Sequence, residues 1–209
     1  METKSDIAYK QIREMIMTGR LNKDTKISLQ GVANQLNISK SPVRDAFQRL
    51  QNDGLVRVFP NQGIFIQELS LNEAVEIYEL RIALESYVLE KVFSSITKQD
   101  ILNLRNILEK QNEALKNNDP YTFMQYDTDQ HTYFLNLYAN QVFLQTMSSL
   151  RTRIYHAGVK ALMSGAMKPT YEDHLAIIDS LEKDDFEETM INLKRHLKRG
   201  LNVTSGVRS

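Results

Sequence analysis

The sequence predicts a mainly α chain: a winged helix-turn-helix over residues 1–69, then an all-α antiparallel helical bundle over residues 70–209. Three observations predict it. Within residues 39–54, Val43, Ala46, Phe47 and Leu50 fall at i, i+3, i+4 and i+7, one apolar helical stripe opposite a polar face. Two strand-like runs, 55–59 and 64–68, then flank a Pro-Asn-Gln-Gly turn. From Ser70 onward the periodicity is helical throughout, punctuated by capping signals.

A first helix is written by Ala8, Ile12, Met15 and Ile16 and ends near Gly19. A short extended piece, Lys26 to Leu29, precedes a compact helix from Gln30 to Leu36 that turns Val32, Ala33 and Leu36 inward. Asn37-Ile38-Ser39 is a tight turn into the next helix, which Ser39 or Ser41 can cap, which Pro42 tolerates in its first turn, and which Gly54 stops. Two helices joined so tightly, the second with a polar outer face, read as helix-turn-helix, and the following hairpin is its wing. Lys40, Ser41, Arg44, Asp45, Gln48 and Arg49 cover the outer face; they offer donors for phosphates and for the major-groove edges of bases. Arg57 lies on the wing, near the phosphates. Taken alone, such a helix reads equally as an amphipathic surface helix; the neighbouring elements favour DNA binding.

Charge agrees with that placement. Residues 1–70 hold ten Lys and Arg against seven Asp and Glu, a net +3, and the remainder holds 16 against 19, a net −3. The 209 residues are 42% hydrophobic and 25% charged, contain no cysteine and show no apolar run of membrane-spanning length or signal-peptide type. A cytoplasmic protein without disulfides or thiolate chemistry is expected.

In the second half Ser70-Leu-Asn-Glu73 is a capping box for a helix to about Phe93, and Thr97-Lys-Gln-Asp100 opens another to about Asn117. Asp119-Pro120 starts a third, to Ala139, and a fourth spans roughly Val142 to Met163. Pro169-Thr170 introduces a fifth, and Asp184-Asp185 caps a sixth that runs to about Gly200. No strand pattern interrupts them, hence the bundle.

Polar residues on buried faces carry the chemistry. Phe123, Met124, Phe134, Leu135 and Tyr138 mark the apolar stripe of the third helix, and Asp127 and His131 lie on that stripe one turn apart. A buried carboxylate is costly unless paired or bound to a metal. His174 continues the row Ile178 and Leu181, and His196 flanks Phe186, Met190, Leu193 and Leu197. Each histidine alone reads as a hydrogen-bonded core residue. Asp127, His131, His174 and His196 together read as the ligands of a divalent transition metal. His156 falls outside this set and reads as surface or structural. Arg81 and Arg153 are cations able to pair with an effector carboxylate; a salt bridge such as Arg81 with Glu85 is the equal alternative.

Gly19-Arg-Leu, the run from Leu36 through Ser-Lys-Ser-Pro-Val-Arg-Asp-Ala-Phe to Val56, and Pro60-Asn-Gln-Gly-Ile-Phe-Ile closely resemble the DNA-binding domain of the GntR family of bacterial transcription regulators. Asn22-Lys23-Asp24 departs from it, where the family usually has a Pro-Pro-Gly-type turn. The resemblance implies DNA contacts from Lys40, Ser41, Arg44 and Arg49, with Gln30 and the wing tip around Gly63 as additions. Asp127-x-x-x-His131, Asp173-His174 and His196 resemble the ligand-binding FCD domain of the FadR subfamily. In its metal-containing members these four positions bind zinc or nickel beside a cavity for a small carboxylate, whereas some relatives lack the metal and bind acyl-CoA. Retention of all four ligands implies the metal-dependent, small-acid type, with manganese or iron as further candidates; a tetrahedral metal would be satisfied by the four ligands alone, and an octahedral one would leave two positions open for a carboxylate.

The function expected is an operator-binding regulator, a repressor by the family's common mode, acting as a homodimer because one winged helix reads few base pairs. A metal-dependent enzyme acting on a small carboxylate is the alternative, along with a regulator whose metal is purely structural. Against the enzyme, no general base stands beside the ligands: Asp129 points to another face, and Glu172 and Asp173 are expected in solvent.

Overall fold

A computed structural model describes residues 3–21, 27–59, 62–67 and 70–205, with His156 and Ser205 lacking described side chains. The chain divides into two compact units, Met1–Glu68 and Leu69–Ser209. The loop at Asn22-Lys23-Asp24, the Pro60-Asn61 half of the wing turn and the side chain of His156 lie outside the described residues.

In the first unit α1 (Lys4–Met17) starts at a capping box in which Thr3 and Asp6 satisfy each other's backbone N–H. Its residues Ala8, Ile12, Met15 and Ile16 are buried, as the periodicity predicts. Helix α2 (Leu29–Leu36) ends at Asn37, whose left-handed φ of 54° turns the chain sharply into α3 (Lys40–Asn52). Leu29 belongs to a helix rather than to the expected extended piece, in which Ile27 pairs with Ile64. Ser39 occupies the N-cap position of α3 without a side-chain capping bond. At the other end Gly54 adopts a φ of 72°, and Leu55 N–H donates to Leu50 O at 2.9 Å, the pairing that closes a helix on a glycine. Strands β1 (Val56–Phe59) and β2 (Gly63–Ile66) form the antiparallel wing, with Arg57 opposite Phe65 and Val58 opposite Ile64. Ile12, Ile16, Ile27, Val43, Phe47, Leu50, Leu55 and Ile64 make one core beneath α3 and the wing.

The second unit is helical throughout its described residues. Helices α4 (Leu71–Val92) and α5 (Lys98–Lys116) both begin with the predicted capping boxes, at Ser70/Glu73 and Thr97/Asp100. Asp119 caps α6 (Pro120–Tyr138) through Tyr121 and Thr122 N–H, and Asn140 caps α7 (Gln141–Ala161). Leu89, Leu104, Leu108, Ile178, Leu181 and Leu197 join α4, α5, α8 (Met167–Glu182) and α9 (Phe186–Ser205) into a core.

Two boundaries differ from expectation. Between α7 and α8 (Met167–Glu182) the chain keeps coiling through a π-helical kink at Leu162–Ala166, where Gly165 takes a φ of 102°. Pro169 thus sits inside the first turn of α8, where its missing N–H costs nothing, and does not mark the break. Helix α9 (Phe186–Ser205) runs past Gly200. Gly200 is a contact glycine: a Cβ there would meet Tyr78 Cε1 at 2.6 Å, so α9 can approach α4 only without a side chain.

Candidate metal centre and nucleic-acid interface

On α3 the buried stripe Val43, Ala46, Phe47 and Leu50 faces the core, and Lys40, Ser41, Arg44, Asp45 and Gln48 are exposed on the opposite face. Gln30 is also exposed and donates to Asn34 Oδ1 at 2.6 Å along α2. Arg49 lies at the flank of this face. Its NH1 donates to Asp6 Oδ1 at 2.7 Å and its guanidinium covers the Tyr9 ring at 4.3 Å, so it also fastens α3 to α1. Gly63 pairs with Phe59 at the wing end with a φ of 121°. Arg57 shares the exposed wing face with Phe59 and Phe65, whose rings meet edge to face at 5.6 Å.

In the second unit Asp127 and His131 on α6, His174 on α8 and His196 on α9 converge, all buried, with one ligand atom of each within 4.8 Å of the others. His131 Nε2 stands 2.9 Å from His196 Nε2, and His174 Nε2 stands 3.2 Å from it. Asp127 adds Oδ1 at 3.5 Å from His174 Nε2 and Oδ2 at 3.8 Å from His131 Nε2. An ion with bonds of ~2.0–2.2 Å sets neighbouring ligand atoms roughly 3–3.5 Å apart, so the spacing fits a metal.

The outer nitrogens support this reading. His131 Nδ1 lies 2.6 Å from Glu85 Oε2, and His174 Nδ1 lies 2.9 Å from Gln111 Oε1. Both acceptors call for an N–H, which leaves the Nε2 lone pairs of His131 and His174 aimed at the centre. Without an ion, His196 Nε2–H can donate to one of these lone pairs; a cation at the centre would instead take all three Nε2 lone pairs and the Asp127 carboxylate. Burial pushes His174 and His196 well below the usual histidine value, favouring the neutral, ligating form. Burial also raises Asp127, against the pull of His131 and Arg81. His196 Nδ1 is buried without a hydrogen-bond partner, and so is Gln111 Nε2.

Arg81 is buried and donates through Nε to Glu85 Oε1 at 2.7 Å, so the salt-bridge alternative describes it. It also lines a cavity of about 270 Å³ against Asp127 and His131, shared with Thr128, Thr132, Ser148 and Arg151. Arg153 does not reach that cavity; its NH2 donates to Glu73 Oε1 at 2.6 Å. Two residues along a helix rotate a side chain by about 200°, so Arg151 faces the cavity and Arg153 the other side. Leu144, Ser148 and Arg151 at i, i+4 and i+7 carried that signal. Asp173, expected in solvent, is buried and takes Arg195 Nε at 3.1 Å and Arg199 Nε at 2.6 Å, binding α8 to α9. Glu172 is exposed as expected.

Glu85 and Gln111 were legible by the argument that found Asp127. Each continues a buried row, Tyr78, Arg81, Glu85, Val88 on α4 and Leu104, Leu108, Gln111 on α5. Among the described residues no helix is long and apolar enough to cross a membrane.

Residues 4–66 match the bacterial regulatory proteins of the gntR family, and residues 76–199 match the FCD domain. The chain is 30% identical over 109 residues to the HTH-type transcriptional regulator YdhC of Bacillus subtilis (strain 168), covering 52% of this chain and 49%, about half, of that relative. It is 24% identical over 193 residues to the HTH-type transcriptional repressor RspR of Escherichia coli (strain K12), covering 91% of this chain and 84% of that one. Its fold is similar to that of a GntR-type regulator from Rhodococcus sp. RHA1, with a TM-score of 0.82 at 20% identity over 98% of this chain and 99% of that one. The matched family is one of transcriptional regulators, not of enzymes. With its two halves matched in order, the chain belongs to the GntR family of transcriptional regulators, carrying a helix-turn-helix followed by an FCD domain.

Proposed function

We propose that residues 1–69 bind operator DNA and that residues 70–209 bind an effector and dimerise, the whole acting as a repressor whose operator affinity answers to a small carboxylate bound beside a divalent metal. Asp127, His131, His174 and His196 would hold the metal, zinc or nickel by donor type. The observation that carries this reading is the four-ligand cluster opening, at Asp127 and His131, onto a cavity that also presents Arg81 and Arg151. When bound, the ion would supply positive charge and, in octahedral coordination, two open positions for a carboxylate. The chain's own residues do the rest. Glu85 and Gln111 orient the imidazoles, Arg81 and Arg151 attract an anion, and Leu135, Leu144 and Ile154 give an apolar wall that excludes water.

Lys40, Ser41 and Arg44 are assigned to the operator's major groove, Arg49 and Gln30 to its flanks, and the wing around Gly63 to the backbone or minor groove. Pairing two such readers in a homodimer multiplies both affinity and specificity. The description of RspR as a repressor supports the sign of regulation.

The test is operator binding by fluorescence anisotropy, with DNA recovered from a random pool by the protein itself. The stripped protein is compared with zinc-, nickel- and manganese-loaded protein against a panel of small carboxylates. An acid that changes affinity only when metal is present supports the reading. Equal DNA affinity under every condition would falsify the regulatory half and leave the DNA-binding half standing.

A further inference from the structure

Arg81 touches more than the cavity beside the metal ligands. It also lines a second, smaller cavity of about 40 Å³ on the side of His196, and Arg81, Met124 and Asp127 are common to both linings. From this dividing position its Nε holds Glu85 Oε1 at 2.7 Å, and the other oxygen of the same carboxylate holds His131 Nδ1 at 2.6 Å. A guanidinium on the cavity wall is therefore joined to a candidate metal ligand by one carboxylate, and all three groups are buried.

We propose that Arg81 and Glu85 form a relay that couples anion binding in the cavity to metal affinity at His131, with Glu85 acting as a positioning residue. The inference rests on the metal-and-carboxylate reading above. An anion that pairs with the guanidinium shares the positive charge that Glu85 otherwise has to itself. Glu85 then becomes a stronger acceptor for His131 Nδ1–H, and His131 becomes a more electron-rich donor at Nε2. Acid and metal thus bind with positive cooperativity even where the acid does not touch the ion. By linkage each tightens the other by the same factor.

The experiment measures zinc affinity by competition with a chromophoric chelator, with and without acetate, succinate or benzoate. It uses the full-length wild type, Glu85→Gln and the double variant Arg81→Met/Glu85→Gln. The double variant removes both charges and so leaves no uncompensated ion in the core. A thermal melt of each metal-free variant establishes that it folds. Wild-type zinc affinity is expected to rise about 5–150-fold with the effective acid. Glu85→Gln is expected to lower basal zinc affinity ~10–100-fold, and the acid-induced rise is expected to vanish in the double variant while zinc still binds. A rise that persists undiminished in the double variant overturns the relay and leaves direct ligation of the metal by the acid as the whole coupling. No rise with any acid in wild type also overturns it. Failure of wild type to bind zinc at all instead sinks the underlying metal reading, which separates the two failures.

Discussion

His131 and His196 aim their Nε2 atoms at each other across 2.9 Å, although they come from helices 65 residues apart. Outer hydrogen bonds to Glu85 and Gln111 fix the rings of His131 and His174, whereas His196 Nδ1 has no hydrogen-bond partner. Zinc at about a hundred times its dissociation constant should stabilise the folded protein by ~2.7 kcal/mol, read as a shift in Tm. The Asp127→Ala/His196→Ala variant should lose that shift. A variant that keeps it places the ion elsewhere.

Acid should unfold the metal-free protein in stages. His174 and His196 are held below 6.5 by burial, so the unfolded chain binds their protons first. The stability they carry is complete above about pH 6.5 and falls as the pH drops below it, by up to ~1.4 kcal/mol per pH unit for each proton. Burial works to raise Glu85, but Arg81 and His131 outweigh it and bring it to about 2; its contribution is present above 4.5 and lost between 4.5 and 2. Asp127 acts in the opposite sense, since burial raises it above 3.8 and the folded state takes up its proton first. Urea midpoints measured from pH 7 to 5 should therefore decline, and His174→Gln/His196→Gln should flatten that decline. A flat wild-type profile would count against neutral buried imidazoles.

Gly200→Ala should cost about 1–3 kcal/mol, because the new methyl meets the ring of buried Tyr78 at 2.6 Å. Gly158 makes the informative comparison. Its nearest neighbour is the Met124 thioether, a flexible chain that can swing aside, so Gly158→Ala should cost less. Equal melting temperatures for the two variants would contradict the packing described for α4 and α9.

Arg44→Ala should weaken operator binding by ~1–3 kcal/mol and relax preference at one base position, with no change in Tm, since Arg44 is exposed on α3. Lys40→Ala should weaken all sequences alike and reduce the salt slope by about one. Arg49→Ala should lower both binding and Tm, because Arg49 also secures Asp6 and Tyr9 on α1. Anisotropy titrations at several salt concentrations distinguish the three patterns.

Arg151→Ala should abolish the response to acids, and Arg153→Ala should spare it. Arg151 lines the cavity, while Arg153 is spent on Glu73. Losing that half-exposed pair should cost about 1 kcal/mol or less. The opposite ranking in acid-induced Tm shifts would reject the cavity as the effector site.

Most of the fold was legible because local chemistry wrote it. Ser70, Thr97 and Asp119 announce three helices by capping bonds made within four residues of sequence. The convergence of Asp127, His131, His174 and His196 was legible because a charge or imidazole on an apolar stripe must be explained by something in the core. What escaped depended on contacts distant in sequence. Gly200 reads as a helix stop until Tyr78, 122 residues earlier, is seen against it, and Asp173 reads as solvated until Arg195 and Arg199 close over it. Arg151 and Arg153 differ only in rotation about α7; the row Leu144, Ser148 and Arg151 marks the cavity side, but which side of α7 faces a cavity depends on helices distant in sequence.

Glu73 holds two helices at once. One carboxylate oxygen completes the capping box of Ser70 at the start of α4, and the other receives Arg153 from α7. Helix α7 also supplies Leu144, Ser148, Arg151 and Ile154 to the cavity wall. In mechanical terms α7 is a lever with the cavity on one face and a tether on the other. The Arg153–Glu73 bond thus ties the helix that walls the cavity to the first turn of α4.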